Sequence, residues 1–467
     1  MHSLTVRDSQ MIDIDVSGPL PELVLDDKVR GAIREVRVLV RLHDRPVGSF
    51  TVEVGPRGIA AAELAAAVWA DAPELRAHLA ADGFPVPDTL DADGLPVPEK
   101  TPQCVERRRA ALEDPPSVTV LIATRDREES LRRCLASVAE LDYPDFDVVV
   151  VDNAPATDAT AALVGELDGR CGPAKIRYVR EDRPGLARAH NRGLQETTGA
   201  WVAITDDDVV VDRNWLTAIA EGARSTPGVA CVTGLIVAAE LETHAQRLIE
   251  EAGGFSRGFV SRLYDTGPNR PDDPLFPFTT GRLGSGANMA FDTAVLRALG
   301  GFDPAMGAGT PARGGDDLLA FLNVLASGKT LAYQPAALIS HFHRREYEGL
   351  QRQSHNYGVG LGAYLTSAVV HHPRLLPGML RNAVLGLKHF LARSSVKNKG
   401  KTAHFPAELE RAERRGVLHG PFAYAVSRWD GRSHRAYERP VRDRGRVPIH
   451  VPRQTDRAGG SRMSPAR

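Results

Sequence analysis

Between residues 117 and 215, short apolar runs alternate with stretches whose apolar positions recur at helical spacing. That alternation predicts βα units built on a mainly parallel sheet. SVTVLIATR (residues 117–125) reads as a buried strand, and the segment after it places Leu131, Cys134, Leu135, Val138 and Leu141 on one helical face. DVVVVDNA (147–154), IRYV (176–179) and WVAIT (201–205) predict three more strands. In such sheets ligands sit beyond the carboxyl ends of the strands. Thr124, Asp152 and the run Asp206, Asp207, Asp208 all fall at those ends.

Upstream, VRVLVRLHDRPVGSFTVEV (36–54) predicts a strand pair around a turn, and helical spacing follows over 60–79 with an interruption near Pro73. Residues 1–90 therefore read as a small α+β domain, and the segment 91–115, which follows on the proline- and aspartate-rich stretch beginning at Pro85, reads as a linker. The α/β domain occupies 116–348, a basic helical region 349–440, and a tail rich in Arg, Pro, Ser and Gly, 441–467, is expected to be disordered.

Length and composition narrow the class. At 467 residues the chain calls for two or three domains, and 42% hydrophobic with 25% charged residues is ordinary for a soluble globular protein. A net charge of −1 gives no bulk attraction to nucleic acid, so no nucleic-acid partner is expected. Cys104, Cys134, Cys171 and Cys231 lie far apart, without the spacing of a zinc motif or disulfide framework, which fits a reducing cytoplasm. The N-terminus lacks the pattern of a signal peptide, and no run of uncharged apolar residues is long enough for a spanning helix.

Several clusters could carry chemistry. Three adjacent carboxylates after a buried strand suit a hard divalent cation, although acids also gather in solvated turns. Asp152 could accept a hydrogen bond from a nucleobase or cap a turn. EDRPGLARAHNRG (181–193) opens a helix carrying Arg188, His190 and Asn191, which suits a pyrophosphate or a solvated basic face. Asp316 and Asp317 precede an apolar helix; capping explains one of them, and Asp317 could act as a general base. His341 and His343 alternate at the end of a strand and could offer a metal ligand.

Taken in order, SVTVLIATRDR, VVVVDNAP, GLARAHNRG, AITDDDV, GSGANMAF, GGFDP, GGDDLLAF and PAALISHFHRR resemble the signatures of family 2 glycosyltransferases over about residues 115–365. The resemblance implies the GT-A fold and an inverting transfer of sugar from a nucleotide diphosphate donor, a UDP-sugar by analogy, to an acceptor hydroxyl. It also implies a Mn2+ or Mg2+ ion. By the same resemblance Thr124 and Asp152 hold the nucleoside, Asp206 lies nearer the ribose, Asp208 holds the metal with His341 beside it, and Asp317 is the base. Asp207 lines the turn within the nucleotide-sugar site, as Arg188 and Asn191 line its phosphate side. Two positions depart from the family pattern. Asp316-Asp317 replaces Glu-Asp, which could alter acceptor contacts, and His190 stands where an arginine is common, which is expected to weaken phosphate contact or make it pH-dependent.

A nucleotidyltransferase of related fold is the second reading, but TRDREES lacks the glycine-rich loop that class carries after its first strand. A non-catalytic nucleotide-sugar-binding or scaffold protein is the third. The acceptor is open: a glycan, a lipid-linked sugar or a small molecule. From Gly349 to Ala407 there is no Asp or Glu, whereas roughly seven would be average. Arg352, Arg374, Arg381, Lys388, Arg393, Lys397, Lys399 and Lys401 lie in that span, and 365–401 combines them with apolar anchors. This predicts either peripheral contact with an anionic inner membrane face or a helical cap over the catalytic domain.

Overall fold

Three short strands, β1 (Ser3–Val6), β2 (Met11–Asp15) and β3 (Glu22–Leu25), precede a hairpin of β4 (Arg34–Leu42) and β5 (Arg45–Val54). Val36, Val38 and Val40 are fully buried on one face of β4, which looks onto a core, while Arg37, Leu39 and Arg41 point the other way. In this computed structural model, which describes residues 3–6, 10–26, 34–167, 175–382, 384–386, 388 and 405–433, that core is closed by α1 (Ala61–Asp71) and α2 (Pro73–Ala81). The break between the two helices falls at Pro73, whose ring fits a first helical turn but not an interior. β2 pairs with β4 in parallel and β4 with β5 antiparallel, while β1 and β3 form a separate parallel pair. Within the stretch read as linker, α3 (Gln103–Glu113) forms a helix that packs toward the large domain.

The main sheet is built from β6 (Val118–Thr124), β7 (Phe146–Asn153), β8 (Ile176–Glu181), β9 (Trp201–Asp206), β10 (Val209–Val211), β11 (Val229–Ala238), β12 (Arg262–Tyr264), β13 (Asn288–Asp292) and β14 (Thr330–His341). Its order is β10-β14-β11-β13-β9-β6-β7-β8, with β12 also on β14. Strands β6, β7, β8, β9, β11 and β14 share one direction, and β10, β12 and β13 oppose it. Val148, Val149, Val150 and Val151 are all fully buried, because both faces of β7 are covered.

The helices of this domain are α4 (Glu128–Ala139), α5 (Ala159–Leu167), α6 (Leu186–Glu196), α7 (Trp215–Ala223), α8 (His244–Glu251), α9 (Thr293–Ala298) and α10 (Asp316–Ala326). Leu131, Cys134, Leu135 and Val138 form the buried stripe of α4 that their spacing predicted. The chain then runs into α11 (Tyr347–His371), α12 (Leu376–Arg381) and α13 (Ala407–Ser433). Small residues let α11 and α13 lie backbone to backbone: a Cβ on Gly362 would stand 2.3 Å from the Val417 carbonyl oxygen, and one on Gly420 2.5 Å from the Ala363 nitrogen. Asp303 of the GGFDP segment ties this layer down, accepting from Tyr424 Oη at 2.8 Å and lying 3.0 Å from His371 Nε2.

The small domain is fastened to the large one by alternate residues of its hairpin. Leu39 packs with Leu235, Val237 and Leu338. Arg37 reaches Glu250 at 2.6 Å, Arg41 reaches Asp212 at 2.7 Å, and Arg45 pairs with Glu221. Among the described residues no helix is long and apolar enough to cross a membrane. Cys171, Arg393, Lys397, Lys399, Lys401 and the tail 441–467 lie outside the described residues.

Candidate active site

Strand register brings the acids together. On β6, Ala123 is the partner of Asp206 and Thr124 the partner of Asp152, so three strands end at one level. After the three aspartates the chain reverses into β10, which pairs antiparallel with β14, Val209 opposite His341. The Phe342 amide donates to the Asp208 carbonyl at 2.9 Å. This local ladder puts the His341 ring beside the Asp208 side chain, 3.3 Å from Nε2 to Oδ1. Asp206, Asp208 and His341 each offer a ligand atom within 4.8 Å of the others.

The three aspartates occupy different environments. Asp207 is buried and accepts from Thr124 Oγ1 and from Arg127 Nη1, each at 2.6 Å. Burial is the main reason its carboxyl rises, to about 6, while Arg127 and Thr124 pull the other way. Asp208 receives Arg127 Nη2 at 2.8 Å. Burial opposes its ionisation, yet His341 and Arg127 together hold it well below the usual carboxylate range. Asp206 has no such cation in contact, and burial, then the Asp208 charge, push it well above that range. A dication between Asp206 and Asp208 would relieve this repulsion, so the donor set fits a hard metal ion.

Across the cleft, Gly315 precedes α10 with φ +80, and a Cβ there would meet the Gly360 carbonyl oxygen at 2.6 Å. Only glycine makes this turn without strain, and the turn delivers both acids of GGDD to the cleft. Asp317 accepts the Gly286 amide at 2.9 Å through Oδ2 and the Leu318 amide at 2.8 Å through Oδ1. These two bonds fix the carboxylate and favour its charged form against the cost of burial, which nonetheless leaves it raised. Burial and the neighbouring Asp317 charge raise Asp316 further.

The cleft between these groups has a volume of about 920 Å³ and is lined by Thr124, the three aspartates, Asp316, Asp317 and His341. Six arginines also line it: Arg125, Arg127, Arg257, Arg313, Arg344 and Arg352. None of these was singled out as a site residue in the sequence, although Arg125 and Arg127 stand within three residues of Thr124 and Arg344 follows the histidine pair. Arg352, Gln353, Asn356 and Tyr357 come from α11, so the basic helical region forms one wall of the cleft.

Other expected residues stand elsewhere. Arg188 donates to the Pro304 carbonyl at 3.3 Å, and Asn191 both donates to and accepts from the Phe302 backbone at 2.7 and 2.8 Å; neither lines the cleft, because both hold the 302–304 segment in place. Asp152 is fully buried beneath β8 and also does not line the cleft. Tyr178 Oη donates to its Oδ2 at 3.0 Å, and its Oδ1 has no hydrogen-bond partner. His190 does reach the cleft wall, and burial pushes its pKa down to about 3. His343 turns away to Glu250, 3.1 Å from Oε1.

Residues 119–294 match the sequence profile of Glycosyl transferase family 2. This chain carries a family 2 glycosyltransferase domain. The matched stretch holds Thr124 and the three aspartates, and the cleft is completed beyond it by α10, β14 and α11. The chain is 28% identical over 281 residues to a pre-mycofactocin glycosyltransferase of Mycobacterium tuberculosis, covering 58% of this chain and 53% of that one. It is 36% identical over 111 residues to the succinoglycan biosynthesis protein ExoM of Rhizobium meliloti, covering 23% and 35%. A solved mannosyltransferase from Pyrobaculum calidifontis, in complex with GDP-Man and Mn2+, is similar with a TM-score of 0.41 and 21% identity, over 72% of this chain and 88% of that one. The chain spans about half the length of the curated relatives it matches first.

Proposed function

We propose that the protein is an inverting glycosyltransferase that moves a sugar from a nucleotide diphosphate donor, a UDP-sugar in the first instance, to an acceptor hydroxyl. The observation that carries this reading is the opposition of two acidic groups across one arginine-lined cleft: Asp206, Asp208 and His341 on one side, Asp317 on the other. Asp206, Asp208 and His341 would hold a divalent ion, Mn2+ or Mg2+, whose charge would offset that of the donor diphosphate. The arginines add cations for the same phosphates. Asp317, held by two amides, is the group placed to take the proton of the acceptor hydroxyl as that oxygen attacks the anomeric carbon. Attack opposite the leaving diphosphate inverts the configuration. Thr124 and Asp152, at adjoining strand ends, are assigned to the nucleoside.

The test is release of nucleoside diphosphate from a panel of nucleotide sugars with manganese. Release that Asp317→Asn abolishes supports the transferase. Pyrophosphate chemistry with a sugar phosphate favours a nucleotidyltransferase, and binding without turnover favours a scaffold.

The acceptor is proposed to be lipid-linked, reached by peripheral contact with an anionic membrane. Val370, Leu376, Leu380, Val384 and Leu385 are exposed close to Arg374, Arg381 and Lys388, and Phe422 and Trp429 are exposed on α13. Flotation with anionic liposomes that survives Arg374→Glu, Arg381→Glu and Lys388→Glu together, or that never occurs, removes this part of the reading.

A further inference from the structure

A second cluster of ligating side chains lies far from the cleft chemistry, where the small domain, α2 and α3 meet. His43 sits at the tip of the β4–β5 hairpin, Asp82 follows the last turn of α2, and Cys104 is the second residue of α3. One ligand atom from each lies within 4.8 Å of the others. His78, one helical turn before Asp82, brings Nε2 to 3.5 Å from Asp82 Oδ2.

The hydrogen bonding of this cluster is incomplete. The Cys104 thiol and His43 Nδ1 face each other at 3.4 Å. The Asp82 side chain is only 1% exposed, yet neither of its oxygens has a hydrogen-bond partner, and His78 Nε2 is likewise buried without one. A buried carboxylate in that condition is costly unless something pairs with it. The surrounding arginines give it no hydrogen bond. Arg45 pairs with Glu221 and donates to the Cys104 carbonyl oxygen, and Arg107 is 3.5 Å from Glu221 and 3.7 Å from Asp82.

We infer that His43, Asp82 and Cys104 form a three-residue zinc site that clamps the small domain to α3. Tetrahedral zinc with bonds of about 2.0–2.3 Å sets its ligand atoms roughly 3.3–3.6 Å apart. The 3.4 Å separation of Cys104 Sγ from His43 Nδ1 matches such an edge. A thiolate with one imidazole and one carboxylate selects a borderline ion, unlike the oxygen-rich set at the aspartates. Binding forms a sulfur–zinc bond and releases the thiol proton to solvent, with no change of oxidation state. Because α3 packs on α7, the clamp would hold the small domain against the glycosyltransferase domain.

The test uses the full chain carrying Asp208→Asn, which disables the other metal site. After zinc loading and gel filtration, elemental analysis is expected to find one zinc per chain, and cobalt in its place is expected to give a thiolate-to-cobalt charge-transfer band. Adding Cys104→Ala should remove both signals, and Asp82→Asn should weaken zinc binding at least about tenfold. Absence of zinc and of the thiolate band in the chain that retains Cys104, or their persistence after Cys104→Ala, overturns the site. The first of these outcomes does not depend on any clamp variant folding.

Discussion

His341 Nε2 stands 3.3 Å from Asp208 Oδ1, although the two residues are 133 positions apart in the chain (341 − 208). The contact follows from one antiparallel pairing, β10 against β14, which places Asp208, in the turn just before β10, beside the histidine that ends β14.

Asp208→Ala should lower metal-dependent turnover at least about 100-fold, since it removes a metal-side charge. His341→Ala should act mainly by raising the manganese concentration needed for half-maximal rate. Diphosphate release across a manganese titration separates the two. A normal manganese requirement in His341→Ala would place the ion elsewhere.

Asp207→Ala should behave differently, because Asp207 joins Thr124 to Arg127 rather than opening to the metal. Its loss leaves a buried hydroxyl and half of a guanidinium unpaired, which should cost about 1–3 kcal/mol of stability. Urea denaturation gives that figure. A turnover loss equal to that of Asp208→Ala, at full stability, would mean that the metal acids are wrongly paired.

Glu250 predicts a specific acid response. Burial opposes its ionisation, but His343 and Arg37 hold its carboxyl at about 2, below the ordinary value of 4.5. A depressed folded value means that the unfolded chain binds the proton first. The stabilisation is therefore complete above about pH 4.5 and lost as pH falls toward about 2, and it is on the order of 2–3 kcal/mol. Glu250→Gln should lower stability at neutral pH and flatten the acid limb over that window. Denaturation curves at a series of pH values check both effects.

Gly420→Val should unseat α13, since its first added carbon already overlaps the α11 backbone. A loss of about 1–3 kcal/mol is expected, with faster proteolysis inside residues 407–433. Unchanged proteolysis would show that the helix pair tolerates a wider spacing.

What the amino-acid order determined by itself was the local periodicity. Alternation and helical spacing specified strands β6 to β9, the buried stripe of α4, the break at Pro73 and the placing of acids at strand ends, because each depends on neighbours within a few residues. Roles that depend on distant partners were decided only by tertiary structure. Asp206, Asp207 and Asp208 are the same residue three times over. The reach of Arg127 and the pairing of β10 with β14 make one a strut, one a low carboxylate beside His341, and one a high carboxylate without a cation. Asn191 and Arg188 lay in a segment suited to phosphate, but the 302–304 backbone claimed them. The six cleft arginines come from five separate stretches of the chain, and the His43, Asp82 and Cys104 cluster joins three more. Side-chain chemistry of that kind is set by distances across the fold, which periodicity along the chain does not encode.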